Sequence, residues 1–289
     1  MSDAYHNPMT GTPNPVEDFE RRGYAVVRGV FAPDEVQALA AAFDAVHAEA
    51  LRHPRSWRHG NLLYRLGTDP ALGRIVRLVQ WPSYAHPVLD RFRRDVRMRD
   101  LVAPLIGGDV KQIINQMHWK PPGAASAEFA YHQDIRFRRP RNAYREPATS
   151  YVQTGIAIDR HTADNGAMMM YPDSHRIGEL GLGQGGRAIL DQAMADDDLR
   201  RVGLDPAKAE PLLLEPGDVA LWNLFTVHGS GPNLSPGDRR FYINGYVAAR
   251  HCDRGEWTFR DGEPCPLGAP ALVHYEDLHT RPEPHYLDD

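Results

Sequence analysis

From Val110 to about residue 249, Pro and Gly break the chain into short apolar runs, at 110–120, 129–137, 150–159, 166–171, 211–214, 218–228 and 240–249. Several short strands separated by turn signals predict a sandwich or barrel of β-strands. Such a body buries one face of every strand. Polar residues on inward positions of those strands are therefore the ones to examine for chemistry.

The chain before Val110 reads differently. Residues 1–15, rich in Asn, Pro, Thr and Gly, read as a loose arm. Gly23 to Phe31 reads as a strand entering the core, and Pro33-Asp34-Glu35 opens a helix with Val36, Leu39, Phe43 and Val46 on one face through about Ala50. A second helix is expected from Leu89 to Leu105, stopped by Gly107-Gly108, and a helical insert at about 187–202. The expected organisation is one domain over 16–289: a helical flank to about 109, a β core over about 110–250 and a C-terminal extension over 251–289.

Composition narrows the function classes. Against 38 Asp plus Glu stand 33 Lys plus Arg, giving a net charge of −5 and no basic field for nucleic acid. No run approaches the roughly 18 apolar residues of a membrane span, and MSDAYHNPMTGTPNP lacks the features of a secretory leader. Two cysteines, Cys252 and Cys265, make no disulfide framework, so a reducing, cytoplasmic setting is expected. The 14 histidines are the compositional excess to follow, because imidazole is the commonest protein metal ligand.

One histidine pair stands out, in Tyr131-His132-Gln133-Asp134. Residues two apart on a strand face the same way, so His132 and Asp134 can grip one ion together. The candidate for a third ligand is His228, in Thr226-Val227-His228-Gly229-Ser230-Gly231-Pro232-Asn233. Two imidazoles and one carboxylate on one face are diagnostic of non-haem Fe(II) oxygenases, which leave coordination positions open. His-x-Asp alone is a weak signal; His251-Cys252-Asp253 is a second copy, with no comparable strand, histidine and arginine after it, and reads as surface or turn.

Taken in order, several stretches resemble the phytanoyl-CoA dioxygenase family of 2-oxoglutarate-dependent oxygenases from roughly residue 19 to 249. They are Gly23–Phe31 with its helix, Lys120-Pro121-Pro122-Gly123, His132-Gln133-Asp134, Asn165-Gly166, Tyr171-Pro172-Asp173-Ser174-His175, Glu215-Pro216-Gly217-Asp218 and His228 to Asn233. The resemblance implies a mainly β fold with flanking helices, a double-stranded β-helix (a cupin-like jelly roll). It implies His132, Asp134 and His228 as catalytic iron ligands, and Fe(II), 2-oxoglutarate and O₂ as the reactive set. By position, Arg239 corresponds to the arginine that pairs with the far carboxylate of 2-oxoglutarate, Ser230 to a hydroxyl on the same carboxylate, and Gln116 to a further co-substrate contact. Arg240 would point to the opposite strand face. Asp173 stands where the family often has Gly.

The implied reaction is hydroxylation of an unactivated C–H bond of a small molecule, with release of succinate and CO₂. Desaturation or epimerisation on the same site is the near alternative, and Asp134 speaks against halogenation, which needs a small residue there. The rivals from other classes are a cupin-like enzyme using its ion as a Lewis acid and a non-catalytic binding protein. His118 reads as a core histidine rather than a pocket residue, Met168-Met169-Met170 as packing, and His161 and His175 as turn residues outside the ligand set. Trp222, Leu224 and Thr226 share parity with His228 and would face the cavity on a regular strand. The arginines at 136, 138, 139, 141 and 145 read as a solvated loop or as an attractor for an anionic substrate. Monomer and homodimer are both open.

Overall fold

A computed structural model describes residues 14–124, 127–182, 193–271 and 283–287. In chain order the elements are α1 (Pro15–Arg22), β1 (Tyr24–Val27), α2 (Pro33–Arg52), β2 (Trp57–His59), β3 (Leu62–Asp69), β4 (Gly73–Gln80), α3 (Pro87–Arg93), α4 (Val96–Ile106), β5 (Val110–Lys120), β6 (Phe129–His132), β7 (Tyr151–Ala157), β8 (Met168–Met170), α5 (Asp196–Arg201), β9 (Glu210–Pro211), β10 (Val219–Trp222), β11 (His228–Ser230), β12 (Arg239–Ala248), β13 (Glu256–Arg260), β14 (Glu263–Pro264) and β15 (His285–Tyr286).

Eight of these strands make the jelly roll. One face is the antiparallel run β10-β7-β12-β5, the other is β6-β11-β8-β9, and β1 extends the first beyond β10. Alternation along β12 shows how the sequence builds two compartments. Tyr242 and Tyr246 face outward into a core with Val36, Leu39, Phe43 and Val46 of α2 and Met98 and Val102 of α4. Phe241 and Ile243 face inward, against Met168, Met170 and Trp222. Each fully buried Leu or Phe on the α2 stripe contributes on the order of 1.5–3 kcal/mol relative to exposure.

Three expectations are corrected. The segment 53–86 is no helical flank: β2, β3 and β4 extend the large sheet beyond β5. The C-terminal extension likewise adds strands, β13 on β5 and β15 on β2. The helix expected over 89–105 is two helices, because Asp95 takes an extended backbone and its side chain caps the Arg97 N–H, starting α4 afresh. Of the expected arm, residues 1–13 lie outside the described residues, whereas Asn14 caps α1 and Pro15 opens it. Of the expected insert, 187–192 lie outside as well, and the helix begins at Asp196. No helix among the described residues is long and apolar enough to cross a membrane.

Gly155 lies in β7 between β12 and β10, and a Cβ there would fall 2.0 Å from Phe241 Cζ. Gly155→Ala is expected to displace a ring that walls the central cavity and to destabilise the fold by about 1–3 kcal/mol. A urea titration checks this; an unchanged midpoint would show that the ring moves freely.

Candidate active site

Strands β6 and β11 lie side by side, with His132 directly opposite His228. The strand stops at His132; Gln133 stays extended, with φ −121° and ψ 133°, and Asp134 starts a 3₁₀ turn. That one extended residue preserves the i, i+2 relation on which the sequence reading relied. Gln133, which sequence reasoning passed over, fixes the turn: its amide donates to the carbonyls of Gly178 and Phe225, and its oxygen accepts from Leu180 N.

Each imidazole is oriented by its Nδ1, which donates to a carbonyl: Ala130 O at 2.8 Å for His132 and Thr226 O at 2.9 Å for His228. A carbonyl only accepts, so the proton sits on Nδ1 and the Nε2 lone pair is free for a metal. Both Nε2 atoms lie 3.8 Å from an Asp134 oxygen, and Trp222 Nε1 donates to Asp134 Oδ2 at 3.0 Å. Donor atoms of the three residues fall within 4.8 Å of one another, so shifts of under an ångström bring them onto one ion with bonds of about 2 Å. Burial, followed by the neighbouring His228, pushes His132 down to about 3, so it stays neutral. Burial opposes the charge on Asp134, yet His228, His132, Arg138 and the Trp222 N–H outweigh it and hold the carboxyl below its usual range. A neutral His132 and an ionised Asp134 are the states an iron(II) site needs of them.

These three residues open onto a cavity of about 290 Å³ between the two sheets. Arg239, Ser230 and Gln116 all line it. Arg239 is buried at 2% exposure; one Nη2 donates to Gly166 O at 2.7 Å, while Nε is buried with no hydrogen-bond partner. Burial pulls this guanidinium down to about 10. A dry arginine with an orphaned donor fits the far carboxylate of 2-oxoglutarate. Arg240 indeed faces away, paired with Asp159 and Asp44.

Several side chains stand differently from the expectation. His118 lines the cavity, with Nε2 3.0 Å from Gln116 Oε1. Burial, then Arg239 and Lys120, drive its pKa down to about 3. Met168 also reaches the cavity, whereas Met170 is core. The run 218–228 breaks after Trp222: Trp222 faces the cavity, Leu224 packs with Ile135 and Tyr151, and Thr226 donates to Gly23 O. His175 contacts Glu20 O and stays away from the metal cluster, and His161 is fully buried beside Phe241. His251 of the second His-x-Asp copy sits beside Glu146, and Asp253 pairs with Arg145.

A double-stranded β-helix whose barrel holds two imidazoles and a carboxylate beside a buried arginine defines a non-haem iron oxygenase. The chain belongs to the phytanoyl-CoA dioxygenase family, whose model matches residues 19–241, and it is accordingly an Fe(II)- and 2-oxoglutarate-dependent dioxygenase. It is 25% identical over 281 residues to an ectoine dioxygenase of Stutzerimonas stutzeri, covering 93% of this chain and 86% of that one. A probable alpha-ketoglutarate-dependent hypophosphite dioxygenase of Stutzerimonas stutzeri is 30% identical over 181 residues, 61% of this chain but only 58% of that one. The apo structure of the non-haem monooxygenase ThoJ superposes with a TM-score of 0.65 at 20% identity, covering 91% of each chain.

Proposed function

We propose that this enzyme hydroxylates a C–H bond of a compact anionic molecule, with His132, Asp134 and His228 as iron ligands and Arg239, Ser230 and Gln116 holding 2-oxoglutarate. The observation that carries the reading is the buried triad in one cavity with a buried arginine whose Nε is unpaired. Bound iron(II) supplies the oxidation: R–H, 2-oxoglutarate and O₂ become R–OH, succinate and CO₂, one atom of O₂ entering each organic product.

The chain's own groups prepare that chemistry. Lys120 Nζ donates to Ser230 Oγ at 2.7 Å and to the carbonyls of Ser230 and Gly231. The Ser230 hydroxyl proton is thereby free to turn toward a carboxylate beside Arg239. His118 is neutral, and its Nε2–H donates to Gln116 Oε1, which leaves the Gln116 amide hydrogens for the co-substrate. Trp222 aims Asp134 at the two imidazoles, while Phe241 and Ile243 make that wall of the cavity apolar and exclude water.

Charge and size support the substrate class. The volume stands at the low end for ligand pockets and has to take 2-oxoglutarate as well. Among the described residues lining it, Arg65, Arg138, Arg139 and Arg239 face a single carboxylate, Asp134. With a divalent ion and a dianionic co-substrate added, three positive charges are left for the substrate to answer. The test is succinate release with Fe(II), 2-oxoglutarate and a panel of short-chain carboxylates and phosphonates beside their neutral alcohol analogues. Stimulation by the anions is expected; stimulation by the alcohols alone would contradict the reading.

A further inference from the structure

We propose that Arg138, backed by Tyr151 and Gln153, is the head-group subsite for the substrate's oxyanion, at the end of the cavity opposite Arg239. The inference rests on the oxygenase reading for where the reacting centre lies. Its starting point is the arginine run, which the fold divides. Arg141 pairs with Glu179 and Arg145 with Asp253, and Arg136 lies over the Phe137 ring and donates to Leu182 O. Arg139 reaches the cavity from an exposed position. Arg138 alone in the run is both buried, at 4% exposure, and on the cavity wall.

Its surroundings form a fixed relay. Arg138 Nη2 donates to Tyr151 Oη at 3.3 Å, its guanidinium lies 5.2 Å from the Tyr151 ring centroid, and Tyr151 Oη donates to Gln153 Oε1 at 2.5 Å. Burial raises the phenol pKa, so Tyr151 stays a neutral donor beside the cation. With its oxygen occupied, Gln153 presents its amide hydrogens to the cavity it lines. Gly245 makes room for this arrangement: a Cβ there would fall 2.1 Å from Tyr151 Oη and 2.3 Å from Gln153 Oε1.

The two arginines serve different ends. Along β12 the residues on the cavity face run Arg239, Phe241, Ile243, Gly245, with Gln153 opposite Gly245. Six residues of strand separate the ends by about 20 Å. Arg239 therefore stands at the co-substrate end and the Arg138 relay at the other, where a planar guanidinium can fork onto a carboxylate or phosphonate. Arg65 and Arg139, exposed on the same cavity, add field that draws an anion inward.

The test is isothermal titration calorimetry without O₂, on enzyme loaded with Fe(II) and 2-oxoglutarate and again on metal-free protein. The probes are propylphosphonate and butyrate, with butan-1-ol as the uncharged control. At least one anion is expected to bind and the alcohol not, and the better anion names the head group. Arg138→Met should weaken that binding at least tenfold while the 2-oxoglutarate heat is unchanged. Tyr151→Phe should weaken it severalfold, and Arg138→Lys should keep part of it; these two carry the test if Arg138→Met does not fold. Equal binding by the Arg138 variants, or no anion binding by the wild type, overturns the proposal, as does loss of the 2-oxoglutarate heat in Arg138→Met. Arg138-dependent anion binding in protein that gives no 2-oxoglutarate heat would uphold the subsite and sink the oxygenase reading instead.

Discussion

Asp134→Ala is expected to bring succinate formation to background in an otherwise folded protein. Loss of an outer partner of a metal ligand costs about 10–100-fold in affinity or activity, and Asp134 is proposed as a ligand itself. It is also the only carboxylate in the cluster, so its removal leaves two imidazoles and no anion to attract a dication. The fold should survive, because the side chain's close polar contacts are the Trp222 hydrogen bond and its approach to the two histidines. A lost hydrogen bond of this kind costs about 1–2 kcal/mol. Iron content after anaerobic loading should fall together with turnover. A variant that forms succinate at a substantial fraction of the wild-type rate would remove Asp134 from the ligand set.

Arg239→Met is expected to show the opposite of a structural defect: poorer co-substrate binding in a protein at least as stable as the parent. In the site as it stands, the guanidinium is buried, with Nε unpaired and one bond to Gly166 O. Its depression from 12.5 to about 10 means that the charge costs the fold roughly 3 kcal/mol. The sign follows directly: a cation whose folded pKa lies below its unfolded one weakens the fold at every pH where it is charged, neutral pH included. Methionine removes that cost and keeps most of the volume. The partner carboxylate of 2-oxoglutarate then loses its charged contact, worth about 2–5 kcal/mol, which raises its KM by roughly thirtyfold or more. Thermal melts of the apo protein and a 2-oxoglutarate titration read the two effects separately. A lowered melting point with unchanged KM would make Arg239 a structural residue.

His132 and Asp134 were legible as a pair because they stand two apart across a strand end, whereas Arg239, Ser230 and Gln116 were picked out only by their positions in motifs that resemble the family's. Helix α2 was legible from its apolar spacing, which the structure buries residue for residue at Val36, Leu39, Phe43 and Val46. The β3–β4 hairpin was missed because its strands carry Arg65, Arg74 and Arg77 among the apolar residues and do not alternate cleanly. Its turn was the usable signal: Asp69-Pro70 precedes Gly73, and Asp69 Oδ1 accepts from Ala71 N and Leu72 N. Parity placed Trp222 correctly and misplaced Leu224 and Thr226, because the strand ends at Trp222 and Asn223 turns the chain, its side chain accepting from Phe225 N. His118 was read as core since a lone histidine on an apolar strand says nothing of which layer it faces. Among the five arginines, only the 3₁₀ turn after Asp134 decides that Arg138 goes inward, and no local pattern encodes that choice.

The most direct measurement of the central claim is the visible spectrum of the anaerobic protein as Fe(II) and then 2-oxoglutarate are added. The assignment predicts a metal-to-ligand charge-transfer band that appears only with both present, is absent in His228→Ala and needs far more 2-oxoglutarate in Arg239→Met. Folded, iron-loaded protein that gives no band at any 2-oxoglutarate concentration would contradict it and leave the metal as a Lewis acid or a structural ion.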